Sequence, residues 1–347
     1  MMKLLRSGFG TTLVALAMFG LALIMMAIYS YALLGRSLDT QEDLLVTVRH
    51  GESLNMVTRR LAEAKVLHRP EFVRILGMLR GDSGRIKAGE YVFHGRVSPM
   101  EFLDVLITGR GRLVSVTIPE GLSLVEIGRR LESQGIGQEE EYVRLGTSPE
   151  FIESLELPFK PPLPTLEGFL FPETYHVQPG TSSAGMLTTM VLQFKTKVAP
   201  LLKTNAGITK LTPYESLVMA SIIEKETGAG EERPLISAVF HNRLKVKMRL
   251  GSDPTVIYGI KDFNGNLTRK HLQTYTPYNT YQILGLPPTP IANPGMDSIR
   301  ASMLPAEVDF LYFVSKGDGT HFFSKDYGTH RKAVQEYQIE PHRRRKS

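Results

Sequence analysis

The chain repeats one pattern of residues at an offset of seventy positions. The segment Val46–Leu54 is echoed by Val116–Leu124, and Arg59–Leu61 is echoed by Arg129–Leu131. In each copy a short segment with alternating apolar residues reaches a glycine, and the serine that follows can cap a helix. Apolar residues then recur at helical spacing, at positions 54, 57 and 61 and at positions 124, 127 and 131. The pattern predicts two strand–turn–helix units.

The start of each unit resembles the glycan-binding LysM module, which opens with a similar strand, glycine turn and serine-capped helix. The alternative is a duplicated structural unit that binds no ligand. Residues 35–157, which contain both copies, are predicted to form a LysM-like α+β domain.

The N-terminal segment from Phe9 to Leu34 contains no charged residue. A helix of this length exceeds the ~30 Å hydrocarbon core of a bilayer. Basic residues precede the segment and acidic residues follow it, so residues 1–8 are predicted to be cytoplasmic and 9–34 to form a single transmembrane helix. A cleaved signal peptide ending near Ser30-Tyr31-Ala32 and a buried core helix are the alternatives.

Several classes of site are excluded or left without support by the composition. The chain of 347 residues has no cysteine, which excludes disulfides and thiolate metal sites. The nine histidines are scattered, and no phosphate-binding loop is present, so no metal and no cofactor are predicted.

The basic tail over 339–347 is interpreted as a solvated terminus that can touch anionic lipid. Nucleic acid is not an expected partner, because the tail would lie outside the cytoplasm.

A second, larger α+β domain is predicted over 158–338, after the proline-rich segment Pro158–Pro164. Thr212 and Glu215 form a capping-box pattern, and Gly228 supplies a natural stop. The apolar residues between them cover almost every direction of a helical wheel, which indicates a buried central helix.

Glu224 and Glu226 lie at the end of this predicted helix. Partial burial and the helix C-terminus both raise the pKa of a carboxyl group, which suits a general acid. The wheel does not choose between the two glutamates. The alternative role for either one is an ion pair with Arg233, Arg243 or Arg249.

Polar loops follow the predicted helix and carry Asn242, Arg243, Asp253 and the segment Tyr278–Tyr281. Tyrosine rings stack on the C–H faces of sugars, and asparagine binds hydroxyl and acetamido groups. Loops rich in proline and glycine can also be purely structural, so this signal alone leaves both interpretations open.

Five blocks of sequence resemble the endolytic murein transglycosylase family, also called YceG-like proteins. They occur in the family's order and are Leu166–Tyr175, Ala220–Thr227, Asn242–Gly259, Tyr278–Gly295, and Leu311–Val314 with Gly319–Ser324. The resemblance implies a lyase that cuts the β-1,4 bond between N-acetylmuramic acid and N-acetylglucosamine in peptidoglycan, leaving 1,6-anhydro ends. It also assigns the family's essential glutamate to Glu224.

The resemblance further suggests strand termination alongside peptidoglycan synthases as partners. The predicted anchor places the chain at the cell (inner) membrane, with the lipid bilayer as a partner, and would confine cutting to nascent glycan strands. Substrate-binding residues are expected at Glu167, Glu173, Tyr175, Glu226, Asn242, Arg243, Asp253, Tyr278, Asn279 and Tyr281.

Two other functions fit parts of the sequence. A hydrolase would pair Glu224 with a second carboxylate, for which Asp253, Glu167 and Glu173 are candidates. A non-catalytic, membrane-tethered scaffold would use the repeat to bind the cell wall. The products separate these possibilities, because hydrolysis adds one water and leaves a reducing end.

Overall fold

A computed structural model describes residues 4–35, 38–109, 111, 113–178, 181–204, 209–261 and 263–340 of the chain. The described residues form an α+β protein and divide into two units. Unit 1 contains the residues up to Val114 together with His176–Thr181. Unit 2 contains Ser115–Tyr175 and the residues from Ser182 onward. The division places the first copy of the repeat in unit 1 and the second copy in unit 2.

Unit 1 is built from four helices and two long strands within its described residues. These elements are α1 (Leu4–Leu34), β1 (Leu38–Val48), α2 (Leu54–Glu63), α3 (Pro70–Leu79), β2 (Gly89–Val97) and α4 (Pro99–Thr108). Strands β1 and β2 pair antiparallel, with Val46 opposite Tyr91 and Val48 opposite Gly89. Side chains alternate across a strand, so Val46, Val48, Tyr91 and Phe93 form one buried face. That face belongs to the same core as Val57, Leu76 and Phe102 of the helices.

Helix α1 contains the uncharged N-terminal segment, and its side chains are described over residues 16–31. In the described part of the chain, no helix has both the length and the apolar character needed to cross a membrane. The predicted single transmembrane helix over 9–34 is therefore wrong.

Unit 2 contains most of the remaining elements. They are β3 (Val114–Thr117), which begins at the last residue of unit 1, α5 (Leu124–Ser133), α6 (Glu139–Gly146), α7 (Pro149–Ser154), β4 (Thr174–Val177), whose last two residues belong to unit 1, α8 (Ser183–Lys197), α9 (Ala199–Thr204), α10 (Pro213–Glu226), α11 (Arg233–Lys245), α12 (Asp253–Tyr258), α13 (Arg269–Gln273), α14 (Met296–Met303), β5 (Tyr312–Ser315), β6 (His321–Ser324) and α15 (Tyr327–Val334). Strand β3 pairs with β4, and β5 pairs antiparallel with β6. A 3-10 turn (Gly230–Glu232) precedes α11, and a π-helical turn (Gln335–Ile339) follows α15. Most of the basic tail, residues 341–347, lies outside the described residues.

The repeat is present in the structure as two strand–turn–helix units, β1–α2 and β3–α5. Ser53 and Ser123 cap the two helices, each accepting a hydrogen bond from the backbone N–H three residues later. Gly51 and Gly121 adopt left-handed φ values of 81° and 77°, which favour glycine. The prediction of two strand–turn–helix units is confirmed.

An equivalent arginine fixes the helix to the strand in each unit. Arg60 of α2 donates a hydrogen bond to the carbonyl of Thr47. Arg130 of α5 donates to the carbonyl of Thr117 at the corresponding place. The two copies of the repeat therefore share a three-dimensional structure as well as a sequence pattern. Binding of glycan by these units stays a prediction.

Helix α10 is the buried central helix that the sequence predicts. The Thr212 hydroxyl accepts the Glu215 N–H at 3.2 Å, and the Glu215 carboxylate accepts the Thr212 N–H at 2.8 Å. Every residue of the segment Ser216–Ile223 is buried. The helix packs against α11, α12 and α14, and it ends at Glu226, two residues before Gly228. Burial on all sides fixes the position of its last turn.

Truncation of Ile222 to alanine is expected to lower the free energy of unfolding of unit 2 by about 2–5 kcal/mol, because it leaves a cavity around a fully buried side chain. Urea unfolding followed by circular dichroism measures the loss. Leu192→Ala is the matched control, since Leu192 is exposed on α8 and its loss should cost under about 0.5 kcal/mol. Equal losses in the two variants would contradict the central position of α10.

Candidate active site

The Glu224 side chain projects from the last turn of α10 and is only 6% exposed. One carboxylate oxygen, Oε2, accepts the backbone N–H of Gly295 at 2.9 Å. The other oxygen, Oε1, forms an ion pair with Nη2 of Arg233 at 3.5 Å. Arg233 is the first residue of α11, and its side chain is 13% exposed. Both carboxylate oxygens of Glu224 are therefore oriented by groups from other elements.

A second carboxylate, that of Glu120, lies beside this ion pair. Glu120 stands in the turn of the second strand–turn–helix unit, and its Oε2 is 3.9 Å from the same Arg233 Nη2. Its side chain is 48% exposed, so this carboxylate is the accessible member of the group. Burial raises the pKa of Glu120, and the neighbouring charge of Glu224 raises it further, while Arg233 acts in the opposite direction.

Gly295 lets the Glu120 carboxylate approach the backbone closely. A Cβ atom at Gly295 would lie 1.9 Å from the carboxyl carbon of Glu120, so the Glu120 carboxylate could not keep this position beside any other residue. The same glycine donates its N–H to Glu224. A residue with a side chain at this position would displace the Glu120 carboxylate.

The turn that carries Glu120 is attached directly to the end of α10. Lys225 donates a hydrogen bond from Nζ to the carbonyl of Gly121 at 2.9 Å. A Cβ atom at Gly121 would lie 3.4 Å from Cγ of Glu224, so the turn packs against the glutamate side chain itself. Glu120 and Glu224 are therefore held on two tightly joined segments of unit 2.

The buried amide of Asn293 holds the surrounding loops together. Its backbone N–H donates to the carbonyl of Leu122, and its backbone carbonyl accepts the N–H of Gly121. Its side-chain oxygen accepts the backbone N–H groups of Gly168 and Leu170 at 2.8 and 2.9 Å. Its side-chain nitrogen donates to the carboxylate of Glu167 at 2.8 Å.

Glu167 is part of this network and is fully enclosed. It accepts the backbone N–H of Leu124 at 3.0 Å, the hydroxyl of Tyr258 at 3.1 Å and the amide of Asn293. Burial raises the pKa of Glu167 to about 7, although these hydrogen bonds act against the rise. Its carboxylate is used to connect α5, α12 and the Asn293 loop.

Glu226 belongs to a separate polar cluster. It accepts a hydrogen bond from the hydroxyl of Ser252, and Arg243 acts on it through its charge. The Tyr281 hydroxyl donates to the carboxylate of Asp253 at 2.7 Å in the same region. Loss of hydration raises the pKa of Glu226 to about 7, and the charge of Asp253 contributes in the same direction. The structure thus brings together four of the expected substrate-binding residues, namely Glu226, Arg243, Asp253 and Tyr281.

The remaining expected substrate-binding residues bond to the protein itself. Asn242 donates to the carbonyls of Val308 and Phe310, and the fully buried Asn279 donates to three carbonyls of the segment 271–274. The Tyr278 hydroxyl pairs with that of Thr289 at 2.8 Å, and the buried Tyr175 donates to the carbonyl of Phe171. Glu173 forms an ion pair with Lys197. Substrate contact by these residues stays a prediction.

A cavity of about 680 Å³ lies within unit 2 on the Lys225 side of the turn. Its lining residues come mainly from the start of α5 and from α12, and include Ser123, Glu126, Lys225, Pro254, Ile257 and Tyr258. The volume is within the range of pockets that hold small ligands. No three His, Cys, Asp or Glu side chains of the described ranges are arranged to hold a metal ion.

Sequence reasoning missed Glu120, Asn293 and the role of Gly295 at this site. Arg233, which the sequence offers as an alternative ion-pair partner for one of the two glutamates, pairs with Glu224. The one signal for Glu120 in the sequence is its position next to the turn glycine of the second copy of the repeat. The carboxylates proposed as hydrolase partners, Asp253, Glu167 and Glu173, are each engaged by other groups.

Comparisons with known proteins agree on one family. A family model described as the YceG-like family matches residues 46–336. An endolytic murein transglycosylase of Bacillus subtilis strain 168 is 30% identical over 311 residues, which cover 86% of this chain and 86% of the relative. One from Streptococcus pneumoniae serotype 2 strain D39 is 29% identical over 280 residues, covering 73% of this chain and 51% of the relative. A crystal structure of a YceG-like protein from Listeria monocytogenes has a TM-score of 0.58 and 29% identity, and covers 84% of this chain and 99% of that chain.

The stability of the folded chain is expected to fall as the pH rises through about 7, partly because of Glu226. Folding raises the pKa of this group from 4.5 to about 7, so its favourable contribution is complete below pH 4.5 and is lost as the pH passes 7. Glu226→Gln should make the unfolding free energy less dependent on pH between 5 and 8, a range of about three units that spans the titration. Urea unfolding at several pH values measures this slope. Glu132→Gln, at an exposed carboxylate of α5, is the control and should keep the wild-type slope.

Proposed function

The chain belongs to the YceG-like family, as its sequence blocks predicted, and we propose that it is a peptidoglycan lytic transglycosylase in which Glu224 acts first as acid and then as base. The observation that supports this role is the geometry of the Glu224 carboxyl group. It is the carboxyl group at the end of a rigid, buried helix, with both oxygens held by neighbouring groups and an accessible carboxylate beside it. A general acid must be held in place in this way to protonate a leaving group.

The first step is cleavage of the β-1,4 bond between N-acetylmuramic acid and N-acetylglucosamine. Protonated Glu224 donates its proton to the glycosidic oxygen as the C1–O bond breaks. The N-acetylglucosamine portion leaves with a free hydroxyl, and C1 of the muramic acid carries oxocarbenium character. The Gly295 N–H and Arg233 stabilise the carboxylate that Glu224 becomes.

The second step closes a ring within the substrate. The Glu224 carboxylate takes the proton from the C6 hydroxyl of the muramic acid, and the C6 oxygen bonds to C1. The product is a 1,6-anhydro end, and Glu224 is again protonated for the next cycle. No water is consumed and no second protein nucleophile is needed, which distinguishes this route from hydrolysis.

A hydrolase with two carboxylates is the second candidate function. The position of Glu120 makes this residue a better choice for the second carboxylate than the partners expected from the sequence. Glu120 and Glu224 both lie within 4 Å of one guanidinium nitrogen, so a second carboxylate is close to the proposed acid. In this alternative Glu120 would activate a water molecule or attack C1. The products then carry one added water and a reducing end.

The location of the substrate determines where the enzyme acts. We propose that the chain acts outside the cytoplasm, where peptidoglycan lies. A preference for nascent strands and a partnership with peptidoglycan synthases stay predictions, to be tested by co-purification and by the length of glycan strands in cells.

Glu224→Gln is expected to fold normally and to lower the release of 1,6-anhydro products from purified peptidoglycan by about 10²–10⁴-fold, because glutamine cannot transfer the proton. Mass spectrometry of the soluble products measures this loss and also distinguishes anhydro ends from reducing ends. Glu132→Gln, which removes an exposed carboxylate from α5, is the matched control and should retain activity. Undiminished anhydro products from Glu224→Gln would overturn the proposal, and wild-type products with reducing ends would favour the hydrolase.

A further inference from the structure

We propose that the cavity of about 680 Å³ lined by α5 and α12 is a binding site for a short acidic peptide, whose carboxylate pairs with Lys225. The inference rests on the proposed function, because the peptide stems that peptidoglycan carries on its muramic acid residues have this chemistry. The enzyme would then hold the peptide part of its substrate next to the site that cuts the sugar chain.

The cavity adjoins the turn that contacts the proposed acid. Lys225 lines the cavity and directly follows Glu224 at the end of α10. A Cβ atom at Gly121 would lie 3.4 Å from Cγ of Glu224 and 3.7 Å from Cδ of Lys225, so both side chains pack against the same turn. A stem peptide begins on the muramic acid ring whose C1–O bond is cut. A cavity this close to the acid is therefore within reach of the peptide.

Much of the lining is apolar and suits short side chains. Leu124 and Ile291 are buried, and Val143, Pro254 and Ile257 are partly buried. Surface of this kind covers the methyl groups of a peptide that contains alanine, and removing those groups from water favours binding.

The aromatic surface that a sugar ring would use is already engaged. Among the described residues that line the cavity, Tyr258 is the one aromatic residue. Its ring packs edge-on against that of Tyr278, with centroids 4.9 Å apart, and its hydroxyl donates to Glu167 at 3.1 Å. The lining therefore favours a peptide over a saccharide.

The charged side chains of the lining leave one cation available to a ligand. Glu126 accepts the N–H of Ser123 at 2.7 Å and its hydroxyl at 2.9 Å, and the N-terminus of α5 compensates its charge. Glu167 accepts donors from three other residues. Lys225 donates once, to the carbonyl of Gly121, and forms no ion pair with another described residue. An ammonium group has three donors, so two remain for a ligand carboxylate.

Binding of a defined ligand tests the inference without turnover. The probe is N-acetylmuramyl-L-alanyl-D-glutamate, and its control is the same compound with the carboxylates converted to amides. Titration calorimetry of the full chain should show that the acidic form binds about 5–10-fold more tightly, as expected for a partly exposed ion pair. Lys225→Gln should bind the two forms equally.

A second variant tests the cavity by its shape. Val125 lines the cavity and is 40% exposed, so Val125→Trp should fold normally and narrow the space available to a ligand. Its affinity for the acidic probe should fall about 10-fold or more. Glu132→Trp is the matched control, because it adds the same side chain at an exposed position of α5 outside the lining, and it should keep the wild-type affinity. Thermal melting checks the fold of each variant.

The release of anhydro products gives a readout on the natural substrate. Lys225→Gln should lower activity on strands that carry stem peptides about 5–10-fold more than on strands whose stems an amidase has removed. Lys225 also holds the Gly121 turn, and loss of that bond alone would lower both activities by the same factor.

The outcomes separate this inference from the proposed function. Equal wild-type affinity for the two forms of the probe, unchanged binding in Val125→Trp, or tighter binding of a peptide-free disaccharide would overturn the peptide site. The proposed function would still stand in each case, provided that Glu224→Gln is inactive. Activity in Glu224→Gln would overturn the proposed function, while binding of the probe would still decide what the cavity holds.

Discussion

The buried side chain of Asn293 is the constraint on which the candidate site depends. One amide joins the turn of the second repeat, the loop that begins at Glu167 and the loop that leads to Gly295. Ile291, in the same loop, donates its backbone N–H to the Ser221 hydroxyl of α10 at 3.0 Å. Three loops are thereby fixed to the central helix. Because a buried amide left without partners is costly, every one of these contacts must form for the network to be stable.

This network explains how two carboxylates that are distant in the chain can be held beside one arginine. Like charges repel, so Glu120 and Glu224 would separate if the turn were free to move. Lys225 and the Asn293 loop prevent that movement by bonding both sides of the turn to unit 2. These hydrogen bonds are made by Lys225, by the Asn293 amide and by backbone groups, and none of them uses the carboxylate of Glu120 or Glu224.

The features that could be predicted from the sequence are those with a local cause. The capping box at Thr212, the all-round apolar character of α10 and the two serine caps of the repeat each depend on neighbours within a few residues. The contact between Glu120 and Arg233 depends on how a turn folds back over more than a hundred residues, and no periodicity encodes it. In the sequence, Asn293 is one residue among others in the block Tyr278–Gly295. Its importance comes from three backbone segments that a single sequence does not place together.

The choice between Glu224 and Glu226 shows why a raised pKa alone does not identify a catalytic carboxyl group. Burial raises the pKa of Glu226 to about 7, the range expected of a general acid, and it does the same for Glu167. Glu167, however, is enclosed by donors that tie loops together, and Glu226 is engaged by Ser252 inside a separate cluster. Glu224 shares its arginine with Glu120, whose side chain is half-exposed. The role proposed for Glu224 therefore rests on its position at the end of α10, on the groups that hold its two oxygens and on the accessible carboxylate beside it.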